Sequence, residues 1–189
     1  INANNTRGAF YALQSLAALI SLDDLTLPEL RITDGARYEY RGMHIDVARN
    51  FRSKAFILNT IEQMAAYKLN KLHLHLADDE GWRLQIADLP ELTSVGANRC
   101  FDLTEQTCLL PQLGAGINAN SGINGYYSRA DYIEILQHAK KHFVEVIPSF
   151  DMPGHSRAAV VAMEARFNHF MALNKPALAK QYRLTEPED

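Results

Sequence analysis

Lys71-Leu72-His73-Leu74-His75-Leu76-Ala77-Asp78-Asp79-Glu80-Gly81-Trp82-Arg83 is the stretch that decides how this chain is read. Its first six residues alternate leucine with lysine or histidine, the period of a half-buried strand. Leu72, Leu74 and Leu76 share one face, while Lys71, His73 and His75 share the other. The strand ends in three adjacent carboxylates, Asp78, Asp79 and Glu80. Like charges this close raise at least one pKa unless a cation or a cationic ligand group offsets them. A solvated acidic turn would need no such partner; a binding site would supply one.

Working outward, the pattern repeats. Gly42-Met43-His44-Ile45-Asp46-Val47 alternates as a strand, and Val144 to Phe150 reads as another. Ser53 is placed as an N-cap, with Ile57, Ile61, Met64 and Ala65 on one helical face up to about Tyr67. Ser128 and Asp131 have capping-box spacing ahead of Tyr132, Ile135, Leu136, Ala139 and Phe143. Ser156 opens a further helix with Val160, Met163 and Phe167 on its apolar face. Strand, helix, strand, helix, strand, helix implies a parallel α/β sheet. Three strands do not distinguish an open sheet from a barrel.

N-terminal to this, Phe10, Leu13, Ala17 and Ile20 predict an amphipathic helix over 7–20. Leu22 to Tyr38, carrying Pro28, Asp34 and Gly35, reads as a linker. Two units are expected, 1–36 and 37–189. A long excursion from Arg83 to Tyr127 carries Gly114, Gly116, Gly122, Gly125, Asn118, Asn120 and Asn124; a loop of that length in a compact domain is usually functional or disordered.

The 189 residues carry 19 Lys+Arg against 22 Asp+Glu, a net charge of −3 without long runs. Phosphate binding needs a concentrated basic surface, so a nucleic-acid partner is not expected. No apolar run approaches the roughly 18 residues that would span a bilayer. The chain starts Ile1-Asn2-Ala3, without an initiator Met, as an excised piece of a longer protein would. Cys100 and Cys108 stand close together in a polar stretch; a disulfide is preferred over two free thiols, and it would put the protein in the periplasm or outside the cell.

In parallel α/β folds, ligands bind at the carboxyl ends of the strands. The first strand is preceded by Arg41, contains His44 and Asp46, and is followed by Arg49. The second ends in the carboxylate cluster with Trp82 beside it. The third ends in Asp151-Met152-Pro153-Gly154-His155. Each residue has a structural alternative. Arg41 can pair with a strand carboxylate, His73 and His75 can be satisfied in a packed layer, Asp151 can cap the next helix, and Trp82 can be core or a stacking platform for a sugar ring. His73-x-His75 with Asp151 and His155 also has the donor chemistry of a metal site, which keeps a metal-dependent hydrolase open.

Together, Arg41 to Phe51, Met64 to Arg83, Pro90-Glu91-Leu92-Thr93 and Ile147 to His155 resemble the glycoside hydrolase family 20 β-N-acetylhexosaminidases, the bacterial chitobiases especially. The resemblance covers nearly the whole chain. It implies the first half of a (β/α)8 TIM barrel, with Gly8 to Gln14 in the last helix of a preceding small α/β domain. It implies removal of terminal β-linked N-acetylglucosamine or N-acetylgalactosamine from chitooligosaccharides or glycans, without cofactor or metal. The substrate's own acetamido carbonyl replaces an enzyme nucleophile, and an aspartate-glutamate pair orients the acetamide and protonates the leaving oxygen. Arg41 matches an arginine that grips the hydroxyls of the terminal sugar, and Asp78 and His155 match a relay behind the glutamic acid. Asp79 and Asp151 are assigned to loop geometry.

The pair itself belongs to a His-x-Gly-Gly-Asp-Glu strand that this sequence does not contain, and Ser149 stands where many members have glutamate. The chain alone is therefore expected to be inactive, and to self-associate through unpaired strand edges. A non-catalytic sugar-binding module is the remaining alternative.

Overall fold

A computed structural model describes residues 1–21, 23–112 and 122–184. Gly114, Gly116, Asn118 and Asn120 of the glycine- and asparagine-rich patch lie outside the described residues. The elements run α1 (Thr6–Leu19), β1 (Gly42–Asp46), α2 (Lys54–Ala66), β2 (Lys71–Asp78), β3 (Gly81–Trp82), α3 (Glu91–Ser94), α4 (Arg129–Lys141), β4 (Glu145–Phe150), α5 (Arg157–Ala172) and α6 (Pro176–Ala179). β2 is central, with β1 parallel on one side and β4 parallel on the other. The two-residue β3 folds back antiparallel on the end of β2. The two short helices and β3 carry too little periodicity to be read from sequence.

Local chemistry explains the boundaries. The Ser53 hydroxyl accepts from the Phe56 N–H at 3.3 Å, starting α2. Ser128 and Asp131 form a complete capping box at the start of α4. At α5 the expected side-chain cap does not form: the Ser156 hydroxyl donates instead to the Pro153 carbonyl.

Strand register sorts side chains into rows. Ile45 pairs with Leu74, and Leu74 with Pro148. Leu72, Leu74 and Leu76 pack against Ile57, Ile61 and Met64 of α2 and Ile135 and Ala139 of α4, forming the main core. On the opposite face His73 pairs with His44 on one side and Ile147 on the other, and His75 with Asp46 and Ser149. One face is thus apolar and covered by helices, and the other is mostly polar. A second cluster joins Leu92, Ala162 and Met163, with Trp82, Ile86 and Tyr182 packed on it. On α5 the buried residues include Ala158, Ala162 and Ala165, whereas Val160 and Phe167 are only half-buried. Three alanines let α5 approach closely, a stripe that a search for large apolar residues passes over.

The excursion after β2 is built around two cations. Arg83 is fully buried and donates to the carbonyls of Val47, Ala48, Ala97 and Gly125. Arg99, also buried, donates to those of Ala48, Arg49 and Glu80. Burial, then the neighbouring charge of Arg99, lowers the Arg83 pKa to about 9, so the group stays cationic at neutral pH. Gly81 makes room for this: a Cβ there would collide with the Arg83 guanidinium and lie 2.8 Å from the Ala48 carbonyl. Cys100 and Cys108 form a disulfide in the same excursion, with Cα atoms 5.7 Å apart.

Candidate active site

The carboxyl ends of β1, β2 and β4 meet at an open depression lined by His44, Arg49, His73, His75, Asp78, Ser149, Asp151 and His155. Its organising group is Asp78, 1% exposed at the last position of β2. Oδ2 accepts from Arg49 Nη2 at 2.7 Å and from His75 Nε2 at 2.9 Å. Oδ1 accepts from the Asp79 N–H at 2.7 Å and from His155 Nδ1 at 3.2 Å. A carboxylate has about four lone-pair positions, and four donors occupy them. Burial works to raise the Asp78 pKa; hydrogen bonds from His75 and the Asp79 N–H, with the charge of Arg49, outweigh it and hold the group below its ordinary 3.8.

An ionised Asp78 only accepts, which assigns the protons around it. His155 donates from Nδ1, which in its neutral form leaves the Nε2 lone pair free. His75 donates from Nε2, so in its neutral form its Nδ1 accepts from the Ser149 hydroxyl at 2.9 Å. His155 also has left-handed backbone (φ 57°), a region that histidine, like Asn and Asp, enters more readily than most side chains. Its side chain is 58% exposed, against 2% for Asp78. The pair therefore couples a buried, fixed negative charge to an imidazole open to the depression.

Arg49 follows β1. Its Nη1 donates to Asp46 Oδ2 at 2.7 Å, and its Nε lies 3.6 Å from Glu80 Oε2. The cationic partner required by three adjacent carboxylates is thus Arg49, from the neighbouring strand end. Asp46 also accepts the backbone N–H groups of Ala48 and Arg49, forming the turn that aims the arginine. Burial of Asp46 favours its neutral form, and these bonds from Arg49 outweigh it to lower the pKa.

The structure brings together Asp78, His155 and Asp151, but not Arg41. Arg41 sits at the amino end of β1, the end away from the depression. Its Nε donates to the Lys68 carbonyl and its Nη1 to that of Tyr38, and it lies over the Tyr11 ring. Arg41 therefore fastens α1 and the segment before β1 to the amino end of the sheet. Asp79 accepts from the Arg157 N–H and caps α5. Trp82 is half-buried, packs against Phe150 and donates its indole N–H to the Leu84 carbonyl, so it does not line the depression. Arg49 is the site residue that the sequence reading left unassigned. The signal was there: of the two arginines flanking β1, only this one follows the strand.

The histidine pair does not assemble a metal centre. His75 spends both nitrogens on Ser149 and Asp78, and His73 packs edge-on against His44 with ring centroids 4.6 Å apart. Asp78, Asp79 and His155 do offer three donor atoms within 4.8 Å of one another. Hydrogen-bond donors already fill the Asp78 oxygens, so the donor set does not fit a resident ion.

A parallel α/β sheet with a saturated buried carboxylate, an arginine and an open histidine at its strand ends defines an α/β domain of the kind that carries its chemistry at that end. The profile of the glycosyl hydrolase family 20 catalytic domain matches residues 38–188, and the chain belongs to that family. It is 68% identical over its whole length to a beta-hexosaminidase B of Pseudoalteromonas piscicida, and 58% identical, again over its whole length, to the N,N'-diacetylchitobiase of Vibrio harveyi. It spans 24% and 22% of those two relatives. Among solved structures, an exo-β-N-acetylglucosaminidase of this family from Vibrio harveyi matches with a TM-score of 0.75 at 35% identity, covering 83% of this chain and 24% of that one.

Proposed function

We propose that this chain is the N-terminal part of a (β/α)8 catalytic barrel, residues 37–189, with 1–36 the last helix and linker of a small α/β domain. The whole protein is then a retaining exo-glycosidase that releases terminal β-linked N-acetylhexosamine from chitooligosaccharides or glycans by substrate assistance. The observation that carries this reading is the chain Arg49–Asp78–His155 at the strand ends, in a member of this family.

Each residue has work that its surroundings support. Asp78 holds the imidazole, and the free Nε2 of His155 holds or returns a proton at a glutamic acid supplied by a segment outside this chain, tuning that acid towards working pH. Arg49 takes the role first assigned to Arg41. Its Nη1 and Nη2 each have a second N–H, a planar pair suited to neighbouring sugar hydroxyls. The Cys100–Cys108 disulfide supports a periplasmic or secreted location.

The test is hydrolysis of p-nitrophenyl N-acetyl-β-glucosaminide by the whole enzyme. Arg49→Ala should lower kcat/KM about 10–100-fold, the loss of one or two charge-assisted hydrogen bonds. Arg41→Ala should act on thermal stability instead; equal losses of activity would overturn the assignment. His155→Ala should lower turnover and shift the pH optimum, and an unchanged profile would remove the relay. NMR of the first-formed sugar should show the β-anomer.

A further inference from the structure

The joint between α2 and α4, on the helix side of the sheet, carries three residues that the sugar site does not use. Glu62 stands on α2, His138 on α4, and His142 caps the carboxyl end of α4. The histidines are spaced i, i+4, so they share one helix face; their ring centroids lie 4.4 Å apart. One donor atom from each of Glu62, His138 and His142 falls within 4.8 Å of the others.

Two features distinguish this cluster from a chance surface grouping. His142 Nδ1 lies 2.9 Å from the His138 carbonyl. A carbonyl only accepts, so Nδ1 carries the proton, and in the neutral ring Nε2 keeps its lone pair. That is the outer hydrogen bond which orients metal-binding imidazoles, and the Phe10 ring packs edge-on against the same side chain. His138 Nε2, for its part, is shielded from solvent and lies 3.2 Å from Glu62 Oε1, yet makes no hydrogen bond. The two atoms are close without the alignment that a shared proton needs. A cation between them would use both lone pairs at once.

We propose that Glu62, His138 and His142 bind a divalent transition-metal ion of the zinc type and clamp α2 to α4. Two imidazoles and one carboxylate are a borderline donor set, favouring zinc and its neighbours over magnesium or calcium, which take oxygen ligands. The Glu62 side chain is 52% exposed, so water completes the coordination shell. Lys54 already ties the two helices through Asp131 and Glu134. The ion therefore reinforces an existing joint, and folding does not depend on it.

The experiment is calorimetric titration of the chelator-stripped protein with Zn2+, paired with thermal unfolding with and without the ion. Saturable one-to-one binding and a raised Tm are expected, because an ion bound only by the folded state stabilises it by mass action. His142→Ala and Glu62→Gln should each weaken binding at least about tenfold, while Asp79→Asn should leave it intact. Should His142→Ala fail to fold, the half-exposed Glu62→Gln carries the comparison. No saturable binding, equal binding in both variants, or loss of binding in Asp79→Asn would each overturn the proposal.

Discussion

Replacing Arg83 by methionine tests the claim that a buried cation, rather than a segment of regular structure, holds the excursion after β2 in place. Methionine keeps an unbranched apolar stem and removes every N–H donor. Arg83 makes five hydrogen bonds to four carbonyls. Ala48 keeps a bond from Arg99, and Ala97 keeps the Gly125 N–H. The carbonyls of Val47 and Gly125 lose the side-chain donor that satisfies them. Each orphaned buried acceptor costs about 1–3 kcal/mol. Relief from burying a cation offsets part of that, leaving about 3 kcal/mol against a typical stability of about 5–15. With a urea m-value of about 2 kcal/mol/M, the midpoint should fall by about 1.5 M. Trp82 is the single tryptophan and adjoins Arg83, so its fluorescence reports unfolding of this segment directly. A midpoint within about 0.3 M of the parent would refute the reasoning, since such a small change means that water satisfies those carbonyls unaided.

Asp78 makes stability depend on pH with a definite sign. Its folded pKa lies below the ordinary 3.8, so its contribution is fully present above about pH 4 and is lost as acid titrates the group through its depressed pKa. Asp78→Asn should flatten that limb of a Tm-against-pH curve, and a superimposable acid limb would contradict the assignment. Reducing the Cys100–Cys108 disulfide, or replacing both residues by serine, should cost about 2–3 kcal/mol for a loop this short, read as a lower Tm; identical melting with and without reductant would count against it. Ser128→Ala removes one half of the capping box and should cost about 1 kcal/mol by the same assay. Because the outer edges of β1 and β4 are unpaired among the described residues, the chain on its own should self-associate. A concentration-independent monomer in sedimentation velocity would show that something else protects those edges.

Periodicity alone determined the parallel βαβ order of this chain. Alternation at Lys71 to Leu76 gives β2 whatever surrounds it, and the Ser53 and Ser128 caps start their helices through bonds made within a few residues. Such signals are local, so they survive in sequence. Asp78 and His155 were legible as well, because both stand where a strand gives way to a loop. Tertiary structure decided the rest. Arg41 and Arg49 flank the same strand, and only strand direction sets one at each end of the sheet. Trp82 is free to stack on a ligand until Phe150, from the far side of β2, occupies its face. Arg83 and Arg99 look like surface cations in the sequence. Only when the loops after β1 and β2 come together do their carbonyls form the cage that makes burying two guanidiniums favourable. A side chain's partners here lie dozens of residues away, and no period in the sequence encodes them.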